Sequence, residues 1–274
     1  MDKKSIIQRG GSLEKAKKGD YTIDVQRILK EGWRNTMLSR LSINLGLLFI
    51  FVIAVIASFL TSNFLGGYEV IIADPQAAII LNVLVTLLIW PFMAGIEMMG
   101  VLHAIGIKTK PQLIFAFFKR ASWVALCALL TSLLISIGLQ LFILPGIFLA
   151  VALSLTIPLV VEKQMSPIKA IALSIEALRF QWFKIFSIYM VLVLALMISM
   201  LPMVIFASGS LAPVGGVIFF FSMSYLAPWF YNVKGILYRE IFGIPLQVIA
   251  GNDVDTHRDE NKESNDDKND TFSA

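Results

Sequence analysis

The chain has 274 residues, of which 57% are hydrophobic and 15% charged, with a mean hydropathy of +0.76 and a formal net charge of +4 at pH 7. A soluble globular domain is about 45–50% apolar and about 25% charged, so this composition excludes an ordinary soluble domain and any disordered or fibrous class. One cysteine and two histidines are too few for a disulfide framework or a typical metal site. We therefore predict an integral membrane protein with no metal and no other cofactor.

The first forty residues form a basic segment ahead of the membrane domain. Residues 1–40 contain ten Lys/Arg and five Asp/Glu, and none of their apolar runs is long enough to cross a bilayer. Within this segment Thr22 is predicted to cap an amphipathic helix whose apolar side chains include Val25, Ile28 and Trp33. We assign residues 1–40 to the cytoplasm, with that helix at the membrane surface.

Six apolar stretches follow, each long enough to cross a hydrocarbon core of roughly 30 Å as a helix. Two of them share a run of 42 residues that is interrupted only at Leu144-Pro145-Gly146, where we predict a tight turn. The predicted spans occupy residues 41–62, 77–106, 121–162 (two spans), 184–208 and 214–233. Residues 41–249 are therefore expected to form an all-α, polytopic membrane domain with about six transmembrane helices.

Short amphipathic helices are predicted between some of these spans. Residues 111–120 bring apolar and aromatic side chains together, and Ser166 with Pro167 has the pattern of an N-cap followed by a first helical residue. Behind this pair, Ile168 and Ile171 begin an apolar stripe. Helices of this kind lie in the headgroup region and contact lipid, or they pack under the bundle as ordinary caps.

The chain beyond the sixth span has two different parts. Residues 235–243 are apolar and aromatic with one Arg and one Glu, and we predict a last short interfacial segment there. Residues 250–274 contain eight acids, three bases and almost no apolar side chains, which is typical of a disordered tail. Such an acidic cytoplasmic tail either keeps the chain soluble or binds a basic partner.

The distribution of Lys and Arg gives the expected orientation. No basic residue lies in residues 63–76, at the Pro145 turn or in residues 209–213, whereas residues 107–120 and 163–184 hold four each. All other bases lie before the first span or after the sixth, so all 23 fall on one side. Cytoplasmic loops carry the excess of Lys and Arg. We therefore predict a bacterial cytoplasmic (inner) membrane protein with both termini in the cytoplasm.

Each returning span carries a proline, at Pro91, Pro158 and Pro228. Because a proline removes a backbone N–H and clashes with the preceding helical turn, we predict helix kinks at these three positions. The first, third and fifth spans are also each preceded by a stretch with aromatic and basic residues, at residues 32–38, 117–123 and 180–186. These features indicate either a weak threefold repeat or independent adaptation of three helix pairs to the membrane interface.

Two stretches, residues 91–120 and 144–186, carry a resemblance to a known family. In order, the second contains a Pro-Gly turn, a span, PLVVE (158–162), SPIKAIALS (166–174) and QWFKIF (181–186). This arrangement resembles the YciC-like family of uncharacterised bacterial inner-membrane proteins, and the related membrane domain fused to some glycerophosphodiester phosphodiesterases. The resemblance covers roughly residues 22–245 and implies a helical multi-pass protein. It carries no catalytic residue, because in the fused enzymes the chemistry belongs to a separate soluble domain.

Glu97 is the one acid well inside a predicted span, and it defines the candidate intramembrane polar site. A carboxylate there costs roughly 2.5 kcal/mol or more, so it indicates function by default. Glu97 could carry a proton, or bind a cation with help from Asn82, Gln140 or Asn232. The alternative is a structural tie, in which Glu97 is protonated or paired with a lysine such as Lys108.

Two other features of the second span concern its packing. His103 lies six residues after Glu97, about 240° around a helix, so the two side chains do not share a face and a Glu–His relay is not expected. Gly100 and Ala104 have the small-xxx-small spacing that lets helices approach closely. We expect this pair to serve packing inside the chain rather than dimerisation.

The patterns of known enzyme sites are missing from the sequence, so we predict no catalytic residues and no enzymatic activity. Nucleic-acid binding is not expected either, because the positive-inside rule already explains the net charge. We predict an accessory or scaffold protein in envelope or membrane organisation, with membrane lipids and a membrane-protein partner as its contacts and its oligomeric state left open. The alternative is a small proton- or cation-coupled secondary transporter or channel that uses Glu97 and the kinked spans.

Overall fold

The computed structural model describes residues 8–206, 209 and 211–245. These described residues are 84% helical and contain six helical segments long and apolar enough to cross a membrane. The predicted all-α fold with six spans is therefore confirmed. The acidic tail predicted for residues 250–274 lies outside the described residues.

The described helices and strands are numbered in chain order. The α-helices are α1 Leu13–Lys18, α2 Val25–Phe64, α3 Tyr68–Ala73, α4 Pro75–Ala104, α5 Ala121–Leu141, α6 Ile143–Ala152, α7 Thr156–Glu162, α8 Pro167–Leu178, α9 Trp182–Ile205 and α10 Ala212–Phe242. Short 3₁₀ helices occupy Pro111–Phe115, Phe118–Arg120 and Arg179–Gln181. Strand β1 (Gln8–Arg9) pairs antiparallel with β2 (Ile244–Pro245), so the two ends of the described chain meet.

The first span is part of a longer helix than the sequence indicated. Helix α2 runs without interruption from Val25 to Phe64, and Asp24 rather than Thr22 is its N-cap, because the Asp24 carboxylate accepts a hydrogen bond from the backbone N–H of Arg27. The predicted surface helix and the predicted span are thus one element. The boundary predicted at residue 40 falls inside this helix, since no proline or chain reversal separates its two parts.

The last span is also longer than predicted. Helix α10 continues through Lys234 and Arg239 to Phe242, and Gly243, with a φ of +65°, ends it. The prediction of a span ending at Val233 and a separate interfacial segment over residues 235–243 was therefore wrong. The lysine at position 234 does not end the buried part of the helix because its charge is paired inside the bundle, as described below.

The third and fourth spans separate earlier than the predicted turn. The break lies at Phe142, which has extended backbone angles (φ −158°, ψ 147°), whereas Pro145 and Gly146 belong to the start of α6. A proline is tolerated there because the N–H groups of a first helical turn have no partner within the helix. Gly146 instead lets the two helices approach, since a Cβ on it would meet Leu139.

The three predicted kink prolines lie in different settings. Pro91 and Pro228 sit inside the uninterrupted helices α4 and α10. Pro158 is the third residue of α7, just after residues 153–155 separate α6 from α7. The fourth span is thus the one that is divided into two helices, three residues before its proline.

Helices α4 and α10 cross at their backbones in the centre of the molecule. A Cβ on Gly100 would lie 2.1 Å from the carbonyl oxygen of Tyr231, and one on Gly235 would lie 2.1 Å from the carbonyl oxygen of Gly100. Only glycine fits at such a distance. The prediction that Gly100 serves packing inside the chain is confirmed, and this crossing places the polar residues of α4 and α10 side by side.

Candidate functional site

A buried ion pair lies beside the crossing of α4 and α10. The Lys234 ammonium donates a hydrogen bond of 2.6 Å to Oε1 of Glu97, and the two side chains are 11% and 3% exposed. Both helices run toward the same end of the bundle, and the two residues lie at similar distances from their C-terminal ends. Glu97 is therefore paired with a lysine across two parallel helices, which is the geometry expected of the structural tie.

The lysine that pairs with Glu97 is not the one the sequence suggested. Lys108 lies exposed in the connection after α4, whereas Lys234 lies within α10. Hydropathy alone assigned Lys234 to the region beyond the sixth span. A comparison of the two helices could have identified Lys234, because its distance from the C-terminal end of α10 is similar to that of Glu97 from the C-terminal end of α4. The second carboxylate oxygen, Glu97 Oε2, is buried and has no hydrogen-bond partner among the described residues.

A polar network around His103 lies in the same part of the bundle. Its Nδ1 is 2.8 Å from Oδ1 of Asn232 and 3.1 Å from the hydroxyl of Ser39, and its Nε2 is 2.9 Å from the hydroxyl of Thr109. Asn232 in turn donates through Nδ2 to the hydroxyl of Thr36 at 3.0 Å. The network joins α2, α4, α10 and the connection that follows α4.

The directions of these hydrogen bonds fix one proton of the imidazole. Thr36 donates its hydroxyl to the carbonyl of Gly32, so it must accept from Nδ2 of Asn232. Asn232 therefore presents its carbonyl oxygen to His103, and Nδ1 of the ring must carry a proton. Protonation of Nε2 is coupled to Thr109: the ring donates when the Thr109 hydroxyl points to Ser42, and accepts when that hydroxyl turns toward the ring.

The structure does not bring the four predicted polar residues into one site. Asn232 belongs to the His103 network, and Asn82 is exposed on α4, where its carbonyl oxygen accepts a hydrogen bond of 3.3 Å from Thr86. Gln140 is exposed near the end of α5. Within the described chain no hydrogen bond joins Glu97 to any of these three amides. Sequence reasoning selected Glu97 and Asn232 as intramembrane polar residues but did not identify the partners that the structure gives them.

A third polar cluster closes the end of the bundle where the two ends of the described chain meet. The guanidinium of Arg239 donates to both oxygens of Glu31, at 2.6 and 3.0 Å, to Glu240 and to the carbonyl of Ala104. All five of its N–H groups thereby have an acceptor. Arg9 donates to the carbonyl of Ile105 at 2.8 Å, so two arginines neutralise the negative C-terminal end of α4.

The motif residues that carry the family resemblance make structural contacts. Glu162, the last residue of PLVVE, accepts a hydrogen bond of 2.6 Å from the Tyr238 hydroxyl and pairs with Lys163 at 3.1 Å. Ser174, the last residue of SPIKAIALS, donates at 2.6 Å to the carbonyl of Ala152. These contacts join α7 to α10 and α8 to α6.

The N-terminal segment is held against α8. The hydroxyl of Tyr21 donates a hydrogen bond of 2.6 Å to the carbonyl of Ala177, and burial raises the pKa of Tyr21 to about 12. Gln181 bonds both the backbone N–H of Ile23 and the carbonyl of Tyr21. Helix α8 buries its small-residue side, including Ala170, whereas Ile168 of the predicted stripe is 73% exposed. The helix thus packs under the bundle and also presents an apolar face outward.

The fold and its six spans define a helical multi-pass membrane protein. Comparisons of the chain with models of protein families, with curated proteins and with solved structures found no match.

Proposed function

We propose that this chain is a non-catalytic, multi-pass protein of the bacterial cytoplasmic membrane that acts as an accessory or scaffold in envelope or membrane organisation. The observation that carries the proposal is the pairing of Glu97 with Lys234. A carboxylate that binds or carries a transported ion must be reached by water, whereas this one lies in a closed helix crossing. Glu97 does not line the open groove between the start of α2 and the end of α10.

The proposed topology places both termini in the cytoplasm. It is supported by the distribution of all 23 Lys and Arg residues on one side of the six spans. A reporter that is active only in the cytoplasm, fused after Ala274, should be active. Activity of a reporter that needs the periplasm would contradict this orientation.

The resemblance to the YciC-like family is part of the same proposal. Its support is that residues of the PLVVE, SPIKAIALS and QWFKIF stretches contact other elements of the fold, as Glu162 contacts Tyr238 and Gln181 contacts Tyr21. A family that keeps its fold without an enzymatic site would use its motif residues in this way. Membrane lipids and a membrane-protein partner are the contacts proposed for it, and the exposed Ile168 face of α8 suits the lipid contact.

A small proton- or cation-coupled transporter is the second candidate. One observation favours it: Glu97 Oε2 is buried without a partner among the described residues. The division of the fourth span at residues 153–155 adds to this, because transporters bind substrates at interrupted helices.

Infrared difference spectroscopy of the purified protein in lipid nanodiscs separates the two candidates. The carboxyl band of Glu97 is identified by comparison with Glu97→Gln. Under the scaffold proposal Glu97 shows no change of protonation from about pH 5 to about pH 9, a window above the ordinary range of a glutamate. A titration within that window, with pH-dependent solvent exchange, would make transport the better description.

Proton flux provides the second test. Proteoliposomes that contain a pH-sensitive dye should show the same flux with the wild-type chain and with the double variant Glu97→Leu/Lys234→Leu. A flux in the wild type that the double variant abolishes would contradict the scaffold proposal.

A further inference from the structure

An open groove of about 760 Å³ lies where the start of α2 meets the end of α10. We call it the α2 groove. Four of the side chains that line it are basic, two are acidic and one is an amide: Arg27, Lys30, Arg34, Arg239, Asp24, Glu31 and Gln26. Its charge is therefore predominantly positive.

The basic side chains of the α2 groove are not equally free to bind a ligand. All five N–H groups of Arg239 already have acceptors within the protein. Arg27 gives one bond to Glu240, and its side chain is 53% exposed. Lys30 and Arg34 are exposed and form no ion pair with any residue that the structure describes. The groove thus presents the unpaired side chains of Lys30 and Arg34 beside Arg27, which is paired with Glu240 through one hydrogen bond.

Lys30 and Arg34 lie on one face of α2, because residues four apart are neighbours on a helix. Further along the same face of α2 lie Leu38 and Leu41, which are 73% and 68% exposed and suited to lipid tails. At a rise of about 1.5 Å per residue, Arg34 lies ~6 Å and Lys30 ~12 Å along the axis from Leu38. The headgroup layer is about 5–8 Å thick on each side of the hydrocarbon core. Arg34 therefore lies within this layer when the leucines lie at the edge of the core, and Lys30 lies just outside it.

We propose that the α2 groove binds the phosphate headgroup of an anionic phospholipid. Arg34 offers the planar, two-pronged donor that suits a phosphate, and Lys30 adds a point charge on the same face. The ligand is a lipid rather than free phosphate because the exposed leucines one to two turns away provide a place for its acyl chains. The inference rests on the span assignment and goes beyond the proposed scaffold role.

Lipid titration of the purified full-length chain in a neutral detergent tests this proposal. Phosphatidylglycerol, phosphatidylcholine and inorganic phosphate are compared, with bound lipid counted by native mass spectrometry. The test variant is Lys30→Gln/Arg34→Gln. The matched control is Lys108→Gln/Lys110→Gln, which removes the same charge from two exposed lysines in the connection after α4.

We expect the test variant to bind phosphatidylglycerol about thirtyfold more weakly than the wild type, which corresponds to ~2 kcal/mol for the two basic residues together. Lys108 and Lys110 do not line the α2 groove, so the control should change the affinity by less than about twofold. Both variants should unfold at the wild-type temperature, because the substituted side chains are exposed.

Three results would overturn the proposal. Equal losses in the two variants would show a general effect of surface charge. Equal binding of phosphatidylcholine and phosphatidylglycerol would show that the groove does not recognise an anion. Binding of inorganic phosphate as tight as that of phosphatidylglycerol would identify a soluble ligand. None of these results bears on Glu97, so the scaffold proposal is tested separately by its titration and by proton flux.

Discussion

The two halves of the bundle are stabilised in different ways. The half in which the two ends of the described chain meet, here called the terminal half, buries the last third of α4 and most of the last third of α10. The opposite, distal half exposes most large apolar side chains of the same helices: Ile79, Ile80, Val83, Leu84, Leu87 and Leu88 of α4, and Val217, Ile218, Phe220 and Phe221 of α10. The same two helices thus change from lipid-facing to protein-packed along their length.

This difference explains where the polar residues lie. In the terminal half, Glu97, His103 and Asn232 each have a partner on another helix. In the distal half, the polar Asn82 is exposed and bonds only within its own helix. Packing that excludes lipid permits buried polar groups when they are paired, and those pairs then define which helices are neighbours. Substitutions should therefore be costly in the terminal half and mild in the distal half.

The largest expected effect is the loss of one partner of the buried ion pair. Lys234→Met leaves the Glu97 carboxylate buried without its counter-ion, and we expect a loss of about 3–5 kcal/mol in the free energy of unfolding. The double variant Glu97→Leu/Lys234→Leu removes both charges and should lie close to the wild type. Unfolding of each variant by a denaturing detergent, followed by circular dichroism, measures this. Equal losses in the single and double variants would contradict the assignment of the pair as a tie.

The helix crossing should show the next largest effect. In Gly235→Ala the new Cβ would lie 2.1 Å from the carbonyl oxygen of Gly100, so α4 and α10 must separate. We expect a loss of about 1–3 kcal/mol, the range found when a packed core is overfilled. Gly216→Ala on the same helix is the control, because nothing lies within 4 Å of a Cβ there.

Gly216→Ala should leave stability unchanged or raise it by ~0.5–1 kcal/mol, the helix propensity of alanine over glycine. The same unfolding assay compares the two variants. A loss in Gly216→Ala as large as in Gly235→Ala would mean that the two halves of α10 are packed alike, contrary to the comparison above.

The smallest effect concerns Tyr21, outside the spans. Tyr21→Phe removes the hydrogen bond to the Ala177 carbonyl and should cost about 1 kcal/mol. The pKa of Tyr21 is raised from 10.0 to about 12 in the folded chain, so the neutral form is favoured by folding. Its contribution to stability is fully present below about pH 10 and is lost as the pH rises through about 12.

Unfolding measured from pH 8 to pH 12 tests this sign. The wild type should lose more stability over the interval from pH 10 to pH 12 than Tyr21→Phe does. Tyr68→Phe, which changes a 54% exposed residue of α3, should keep the wild-type pH dependence. If the stability of the wild type and of Tyr21→Phe depended on pH in the same way, this would contradict the proposed contribution of the Tyr21 hydroxyl to stability.

The sequence predicted the fold class well because hydropathy reports burial in lipid directly. Six spans were identified, and Glu97 was recognised as unusual because a lone acid in an apolar stretch is costly. Lys234 was missed for the same reason: a window that averages hydropathy treats a charge as the end of a span. Its partner lies 137 positions away, and no local pattern records such a pairing.

Other features depend on tertiary contacts and carry no sequence signal. Residues 153–155 read Leu-Ser-Leu and continue an apolar run, yet α6 ends there. The Pro-Gly pair that predicted a turn lies in the first helical turn of α6, where a proline is compatible with a helix. Strands β1 and β2 have two residues each, too few to show an alternating pattern.

The ribbon of β1 and β2 has a consequence for the order of events during synthesis. Gln8 and Arg9 leave the ribosome first, but their partners Ile244 and Pro245 follow about 235 residues later. At about 5–20 residues per second, the first strand waits roughly 10–50 s before it can pair. The ribbon therefore forms only once the last membrane helix has been made, and a chain that terminates early leaves its N-terminal strand without its partner.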